Sequence, residues 1–247
     1  MDSIAARLER IEEKIEAACR RSGRKRQEIK LMAVSKFLPL ETVESAREAG
    51  LRLFGESRVQ EGKEKFSKFW EKHPRDGSVE LHLIGSLQRN KAKAAASFFD
   101  CIQSVDRDSL IDELGALTVK RDSPLMIMLE YHTGEESKAG FSDPDSLFRA
   151  AEKALSFPGL RPVGLMTMAP FTDDEKVIRS SFRKLEAART ELEKRFPNEP
   201  DGFYVPNGYI GHWSCLSMGM TNDYTIAIEE GSTLIRIGTA IFGERGT

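Results

Sequence analysis

Short apolar runs alternate along this chain with stretches that are polar on one side. The apolar runs lie at 31–36, 51–56, 80–85, 100–105, 124–131, 160–166, 215–219 and 233–238. They are apolar at nearly every position rather than at every second one, which is typical of strands covered on both faces. The pattern therefore predicts eight buried strands in a parallel sheet.

Helical periodicity fills the intervals between these strands. The predicted helices lie near 39–50, 59–72, 88–98, 107–120, 144–156, 174–195 and 222–230. In the longest of them, the apolar stripe is formed by Val177, Phe182, Leu185 and Leu192. One more helix precedes the first strand, because apolar residues recur there at steps of three and four from Ile4 to Ala18. Ser22-Gly23 ends that helix.

Eight strand–helix units in 247 residues predict an α/β fold, a single (β/α)8 TIM barrel with an extra N-terminal helix. The prediction assigns residues 1–247 to one domain. The alternative is a doubly wound open sheet, which usually has a glycine-rich nucleotide turn after its first strand. The segment that follows the first strand here, VSKFLPL, contains no glycine.

Charge, apolar segments and cysteines indicate which partners and which cellular compartment to expect. Lys plus Arg number 37 and Asp plus Glu number 39, so no global field attracts nucleic acid or an anionic membrane. The N-terminus lacks the apolar core of a secretory signal, and no window approaches the roughly 18 apolar residues of a membrane span. Three scattered cysteines, Cys19, Cys101 and Cys215, form neither a disulfide framework nor a zinc cluster. We therefore expect a cytoplasmic protein.

The chemistry of a barrel of this type lies at the C-terminal ends of its strands. The first predicted strand ends in Lys36, where an apolar surrounding favours the neutral amine that attacks an aldehyde. The alternative is a strand-end lysine whose ammonium extends into water.

The last two strands end in the segments SMGMTND and RIGTAIFG. Loops at these positions commonly bind phosphate in TIM barrels. Gly219 and Gly238 allow close backbone approach, and Ser217, Thr221 and Thr239 supply hydroxyl groups. The alternative is that the glycines only form tight turns.

Arg236 lies within the eighth apolar run, between Ile235 and Ile237. If the two isoleucines face the outer helices, alternation turns Arg236 into the barrel, where a guanidinium needs an acceptor. That acceptor is either a protein carboxylate such as Glu56 or the ring nitrogen of a ligand. An amine for an aldehyde, a cradle for a phosphate and a cation near a ring together describe pyridoxal 5′-phosphate.

Seven segments carry a resemblance to a known family. They are AVSK with Lys36, FGES-RVQEG (54–62), HLIGSLQRNK (82–91), GEESKAG (134–140), GLMTM (164–168), SMGMTNDYTIAIEEGST (217–233) and RIGTAIFGER (236–245). The chain closely resembles the pyridoxal phosphate homeostasis proteins from about residue 5 onwards. The resemblance implies a barrel like the N-terminal domain of alanine racemase. It also implies that Lys36 forms the Schiff base with the cofactor and that Arg236 faces the pyridine nitrogen. The residues that it places around the phosphate are Ser217, Met218, Gly238 and Thr239.

The chain departs from that family at three places. The family usually has asparagine where this chain has Ser57, and its fifth strand usually ends in a Val-Asn type pair rather than Tyr131-His132. The segment 197–212 is longer than is typical, and we expect it to cover the site.

The preferred function is a carrier that holds pyridoxal phosphate on Lys36 as an internal aldimine and releases it to apo-enzymes that depend on this cofactor. An arginine beside the pyridine nitrogen weakens the ring as an electron sink, and the chain ends soon after the last strand, without the second domain of a racemase. The same lack of a dimerising domain predicts a monomer. The alternative is a weak amino-acid racemase.

Two further hypotheses are open at this stage. A metal-dependent phosphosugar enzyme is disfavoured because the strand ends lack a clear set of metal ligands, with only His82 and His132 as strand-end histidines. Lys138 is either a solvated loop charge or a second amine that helps to move the cofactor to and from Lys36.

Overall fold

Eight parallel strands close into a barrel in the computed structural model of this chain, which describes residues 2–119, 121, 123–134, 140–197, 204–205 and 209–243. The barrel strands are β1 (Lys30–Val34), β2 (Leu53–Glu56), β3 (Glu80–Leu83), β4 (Cys101–Val105), β5 (Leu125–Glu130), β6 (Leu160–Met166), β9 (Cys215–Ser217) and β10 (Leu234–Ile237). Outside the barrel, β7 (Tyr204–Val205) and β8 (Tyr209–Ile210) form a short antiparallel pair. The closed barrel confirms the predicted architecture and excludes the open doubly wound sheet.

Helices surround the barrel, and their positions follow the predicted order. They are α1 (Ile4–Ser22), α2 (Leu40–Glu48), α3 (Val59–Lys72), α4 (Ala92–Phe98), α5 (Asp108–Thr118), α6 (Pro144–Leu155), α7 (Glu175–Arg195), α8 (Tyr224–Glu229) and α9 (Thr239–Phe242). The extra helix α1 begins at its cap Ser3 and ends at Gly23, whose φ of 68° is in the left-handed region that favours glycine. It packs against α8 and α9 rather than against the barrel mouth.

The strands bury both of their faces, as the continuous apolar runs predicted. One face forms an outer cluster with the helices, and the other fills the barrel with an interior cluster. The interior cluster consists of Met32, Leu53, Cys101, Met126, Met128, Val163, Met166, Cys215 and Leu234. A register shift where β5 pairs with β6 breaks strict alternation, so that Val163 and Met166 both face inward although they lie three residues apart.

The three cysteines are buried as thiols. Burial raises the pKa of Cys215 to about 11 and that of Cys101 well above its usual range. Both thiols are therefore neutral at physiological pH and serve as small apolar groups. Among the described residues, no helix has the length and apolar character needed to cross a membrane.

The segment 197–212 leads into the N-terminal end of β9, whereas Lys36 follows the C-terminal end of β1. Residues 198–203 and 206–208 of this segment lie outside the described residues. Near its end, the Nδ1 atom of His212 lies 3.0 Å from the carbonyl oxygen of Pro162, at the beginning of β6. Because all barrel strands run in the same direction, this part of the segment lies at the opposite end of the barrel from Lys36. The expectation that the segment covers the site was wrong for this part.

The buried side of α7 differs at one residue from the predicted stripe. Phe182, Leu185 and Leu192 are fully buried, but the exposed fraction of Val177 is 42%. Its neighbour Ile178 is buried in its place, because Ile178 lies four residues before Phe182 and shares its helix face, whereas Val177 lies five residues before it.

We predict that Phe182→Ala lowers the free energy of unfolding by about 3–5 kcal/mol, because the substitution leaves a cavity in the outer cluster. The matched control on the same helix, Val177→Ala, should change that free energy by less than about 0.5 kcal/mol. Urea unfolding followed by circular dichroism measures both. Equal effects of the two substitutions would contradict this arrangement of α7.

Candidate functional site

Three neighbouring strands, β9, β10 and β1, bring the predicted site residues to one end of the barrel. Ala33 pairs in register with Ile237, so Lys36 and Gly238 both emerge at the C-terminal edge. A Cβ atom added to Gly238 would lie 3.4 Å from the carbonyl oxygen of Val34, so the two segments are in ordinary van der Waals contact. The sequence prediction that these residues share one end of the barrel is met.

Lys36 lies in a turn, two residues beyond the last residue of β1, rather than within the strand itself. The turn is closed by the N–H of Leu38, which donates to the carbonyl oxygen of Ser35 at 3.2 Å. Phe37 has a φ of 63°, a left-handed conformation that is unfavourable for a residue with a bulky side chain. The side chain of Lys36 is partly buried. The backbone next to the candidate nucleophile is therefore held in an uncommon conformation by its surroundings.

A buried lysine on α3, Lys65, is hydrogen-bonded to the beginning of this turn. The ammonium of Lys65 donates to the carbonyl oxygen of Ser35 at 2.7 Å, to the carboxylate of Glu56 at 2.8 Å and to that of Glu61 at 3.2 Å. The Ser35 hydroxyl also donates to Glu56, at 2.8 Å, and the N–H of Phe37 donates to Glu61. The residues on both sides of Lys36 are thus fixed by one charged cluster.

Glu56 belongs to this cluster and does not pair with Arg236. It lies on the outer face of β2, towards α3, whereas Arg236 lies inside the barrel. Burial raises the pKa of its carboxyl above the usual value, although Lys65 opposes the shift. Its second oxygen, Oε2, is buried and has no hydrogen-bond partner among the described residues. The hypothesis that Glu56 neutralises Arg236 was therefore wrong, because the two side chains face opposite sides of the barrel wall.

Arg236 is a cation buried at the barrel mouth, with an exposed fraction of 4%. Its Nη1 donates to the hydroxyl of Ser217 at 2.7 Å, and its Nη2 donates to the carbonyl oxygen of Thr167 at 2.8 Å. Both of these partners are neutral. Burial lowers the pKa of the guanidinium to about 10, so it stays charged at neutral pH. A buried cation that is bonded to neutral oxygens suits a ligand with an acceptor atom or a negative charge.

The two loops predicted to hold a phosphate follow β9 and β10 directly. Gly219 has a φ of 96°, and a Cβ atom there would lie 2.6 Å from the Cβ of Ala227. The turn that follows is closed by Asp223, whose carboxylate accepts from the N–H of Met220 at 2.6 Å. In the second loop, Thr239 is the first residue of α9, and the first N–H groups of a helix have no acceptor within the helix. Backbone N–H groups and small residues therefore meet at this edge, as binding of an oxyanion requires.

The resemblance implies that Ser217 and Met218 lie around the phosphate, but both side chains have other contacts in the structure. The Ser217 hydroxyl is fully buried and is engaged with both Arg236 and Gln103, since it also donates to the Gln103 amide oxygen at 2.6 Å. The side chain of Met218 packs in the outer cluster, so only its backbone faces the loop. Their position around a phosphate stays a prediction, as do the ligand roles of Lys36, Arg236, Gly238 and Thr239.

Sequence reasoning missed a carboxyl group at the barrel mouth. Glu130 is the last residue of β5 and has an exposed fraction of 5%. Burial, reinforced by the charge of Asp106, raises its pKa to about 7, although Arg236 acts in the opposite direction. The signal in the sequence was a charged residue inside the run PLMIMLEY, which is otherwise almost wholly apolar.

The remaining candidates lie away from the site or outside the described residues. The side chains of Tyr131 and Tyr224 pack in the outer cluster, and burial raises the pKa of both phenols. The side chains of Tyr204 and Tyr209, in the segment 197–212, lie outside the description. Ser57 follows β2, and its backbone packs against Gly85. A Cβ atom added to Gly85 would lie 2.2 Å from the carbonyl oxygen of Ser57. Lys138 lies outside the described residues. The described residues contain no cluster of His, Cys, Asp and Glu that would hold a metal ion.

We predict that Glu130→Gln changes the pH dependence of stability. The carboxyl binds its proton more tightly in the folded chain, so the wild-type protein loses stability as the pH rises from about 4.5 to 7. The amide does not titrate, and the variant should therefore be more stable than the wild type by up to roughly 3 kcal/mol at pH 8 and differ little below pH 5. Urea unfolding across this pH range measures the difference. Glu152→Gln on the exposed face of α6 controls for the loss of one negative charge, and identical pH profiles for all three proteins would refute the assignment.

We predict that Lys65→Met lowers the free energy of unfolding by about 3–5 kcal/mol, because it leaves the buried Glu56 without its cation. The exposed Lys68→Met, on the same helix, should change it by less than about 0.5 kcal/mol. Removing both charges with Lys65→Met and Glu56→Gln should recover part of the loss. The prediction fails if Lys65→Met is as stable as Lys68→Met in urea.

Comparisons with known proteins identify the family of this chain. The family described as alanine racemase, N-terminal domain, matches residues 6–246. Curated relatives of this chain carry the name pyridoxal phosphate homeostasis protein. The one from Vibrio cholerae is 38% identical over 246 residues, which cover 99% of this chain and 98% of the relative. The one from Aquifex aeolicus is 36% identical over 239 residues and covers 97% of both chains.

A solved structure gives the same result. The structure of PipY from Synechococcus elongatus, with pyridoxal phosphate bound, is 30% identical to this chain and superposes with a TM-score of 0.78. The match covers 98% of this chain and 100% of PipY. The family model and these full-length similarities show that the chain belongs to the family of pyridoxal phosphate homeostasis proteins, which is built on the N-terminal domain type of alanine racemase.

Proposed function

We propose that this chain binds pyridoxal 5′-phosphate through Lys36 and takes part in intracellular homeostasis of that cofactor. The observation that carries the proposal is the convergence of three groups on one edge of the barrel. These are a partly buried lysine amine, two loops with glycines, and the buried cation of Arg236. The relatives named for this function and the cofactor in PipY support it.

The residues present suit the parts of the cofactor. Pyridoxal phosphate supplies an aldehyde that condenses reversibly with amines, and Lys36 offers the amine. Its phosphate is doubly charged and suits the backbone N–H groups after Gly238, together with the Thr239 hydroxyl. Arg236 offers N–H donors, which suit an unprotonated ring nitrogen.

We further propose that the protein holds the cofactor and passes it on rather than turning over an amino acid. Because Arg236 is a donor and stays charged at neutral pH, it opposes protonation of the ring and weakens the ring as an electron sink. Racemisation also needs a second acid or base opposite the lysine. Of the tyrosines whose side chains are described, Tyr131 and Tyr224 both pack in the outer cluster and cannot supply it.

The same proposal extends to partners and location. The recipients are apo-enzymes that depend on pyridoxal phosphate, since their active-site lysines compete for the same aldehyde. We place the protein in the cytoplasm as a monomer, with residues 1–247 acting as one cofactor-binding domain. Three buried, reduced cysteines suit a reducing compartment.

We predict that Lys36→Ala abolishes the visible absorbance band that the wild-type protein shows after reconstitution with pyridoxal phosphate, because the variant lacks the amine. Borohydride treatment of the wild-type protein should remove the band and leave the cofactor attached to Lys36, as located by peptide mass spectrometry. Lys91→Ala, an exposed lysine at the same end of the barrel, should keep the band.

Two results would overturn parts of the proposal. A reconstituted wild-type protein without a visible band would exclude the covalent site. Turnover of D- and L-alanine well above the Lys36→Ala background would favour the racemase over the carrier.

A further inference from the structure

A continuous line of hydrogen-bonded side chains crosses the barrel interior beneath Arg236. The guanidinium donates to Ser217 at 2.7 Å, and Ser217 donates to the amide oxygen of Gln103 at 2.6 Å. The amide nitrogen of Gln103 lies 2.8 Å from Nδ1 of His82, and Nε2 of His82 lies 3.0 Å from the carboxylate of Glu80. All five residues are buried, and they belong to the neighbouring or facing strands β10, β9, β4 and β3.

Each group in this line donates a hydrogen bond to the next, in the direction from Arg236 to Glu80. Arg236 has only donors, so the Ser217 oxygen accepts from it, and the serine hydrogen goes to the amide oxygen of Gln103. The amide nitrogen then faces His82 and donates to Nδ1, which leaves the hydrogen of the neutral imidazole on Nε2, directed at Glu80. Reversing the Gln103 amide would place two donors on Ser217 and take away the acceptor of its hydroxyl hydrogen. With Gln103 in this orientation, each donor of the line faces an acceptor.

The other side of the guanidinium is anchored as firmly. Its Nη2 donates to the carbonyl oxygen of Thr167, and the hydroxyl of Thr167 donates to the carbonyl oxygen of Tyr131 at 2.8 Å. Thr133 bridges Thr167 and Ser181 with hydroxyl contacts of 2.8 Å and 2.6 Å. The guanidinium is thus held at both terminal nitrogens, and loss of the Ser217 side would leave it free to turn about the Thr167 anchor.

Polar side chains are not needed to fill the interior of this barrel, and burying them costs free energy unless each one is hydrogen-bonded. The rest of the interior cluster consists of Met, Leu, Val and Cys side chains, which fill a barrel without unsatisfied groups. Each buried polar group left unpaired costs about 1–3 kcal/mol, so every member of the line depends on its neighbours. The line begins at Arg236, and each of its members needs its neighbours to stay hydrogen-bonded. This indicates that the line holds the guanidinium of Arg236 in position.

We propose that Gln103 and His82 are positioning residues for Arg236. They hold the Ser217 hydroxyl as an acceptor, which fixes the plane of the guanidinium so that its remaining donors face the cofactor ring. This inference rests on the proposed function, because it assigns the residues that set the environment of the ring nitrogen. In this arrangement Gln103 and His82 act on Arg236 through the hydroxyl of Ser217.

The test uses Gln103→Met, because methionine has a similar length and already fills this interior at Met32, Met126 and Met128. Met128→Leu, an apolar change in the same cluster, is the matched control. Purified full-length proteins are titrated with pyridoxal phosphate. For Gln103→Met we expect the Lys36-dependent band to remain, with its pH midpoint shifted and the cofactor bound about tenfold more weakly, the size of one hydrogen bond to a charged group. For Met128→Leu we expect the pH midpoint of the band to match that of the wild type. We expect its affinity for pyridoxal phosphate to stay within about twofold of the wild-type value.

A second measurement does not need the cofactor. Nitrogen-15 NMR of the histidine side chains in the cofactor-free protein should show His82 as the Nε2–H tautomer and should show a change in its Nδ1 signal in Gln103→Met. If Gln103→Met does not fold, Gln103→Leu takes its place in both measurements, because it removes the same amide and leaves Ser217 unchanged.

The outcomes separate the two proposals. Equal spectra and affinities for Gln103→Met and Met128→Leu, or an Nδ1–H tautomer for His82, would overturn the positioning role while cofactor binding stands. A wild-type protein that binds no pyridoxal phosphate would overturn the proposed function and this inference with it. The tautomer measurement would then report on the hydrogen-bonded line alone.

Discussion

A guanidinium inside a closed barrel is the constraint on which the rest of this site depends. Arg236 is largely shielded from solvent where it lies, and the protein supplies an oxygen for each terminal nitrogen. Those oxygens come from Ser217 and Thr167 on the two preceding barrel strands or just beyond them, and each is itself held by further hydrogen bonds. The cation thereby orders the polar groups of the mouth, and it remains the group best suited to meet a ligand.

Two buried polar systems flank the junction of β1 and β10 and serve different parts of the site. Outside the barrel, Lys65 and its carboxylates fix the turn that carries Lys36, including the left-handed residue that follows it. Inside, the line through Gln103 and His82 fixes the guanidinium. The candidate nucleophile and the candidate ring partner are therefore both attached to rigid scaffolding. Such preorganisation lowers the cost of ordering these groups when a ligand binds.

Much of the site followed from the sequence because the relevant pattern is local. A parallel barrel brings the ends of its strands to one edge, so finding Lys36, Arg236 and Gly238 near strand ends was enough to place them together. Alternation around Ile235 and Ile237 also turned Arg236 inward correctly. The same reasoning could not pair Glu56, because the side that a strand-end residue faces depends on register, and here the residue points to α3.

The sequence by itself determined the eight strand–helix units, their order and the residues at the C-terminal edge, because apolar periodicity and turn residues act over a few positions. Only the tertiary structure decided which polar side chains meet. Gln103 and Ser217 are 114 residues apart, and Lys65 reaches Ser35 across the space between a helix and a strand. Glu130 acquires its raised pKa only because the closed barrel buries it beside Asp106. Burial and the pairing of distant groups arise from closure of the barrel and its registers, which no local pattern contains.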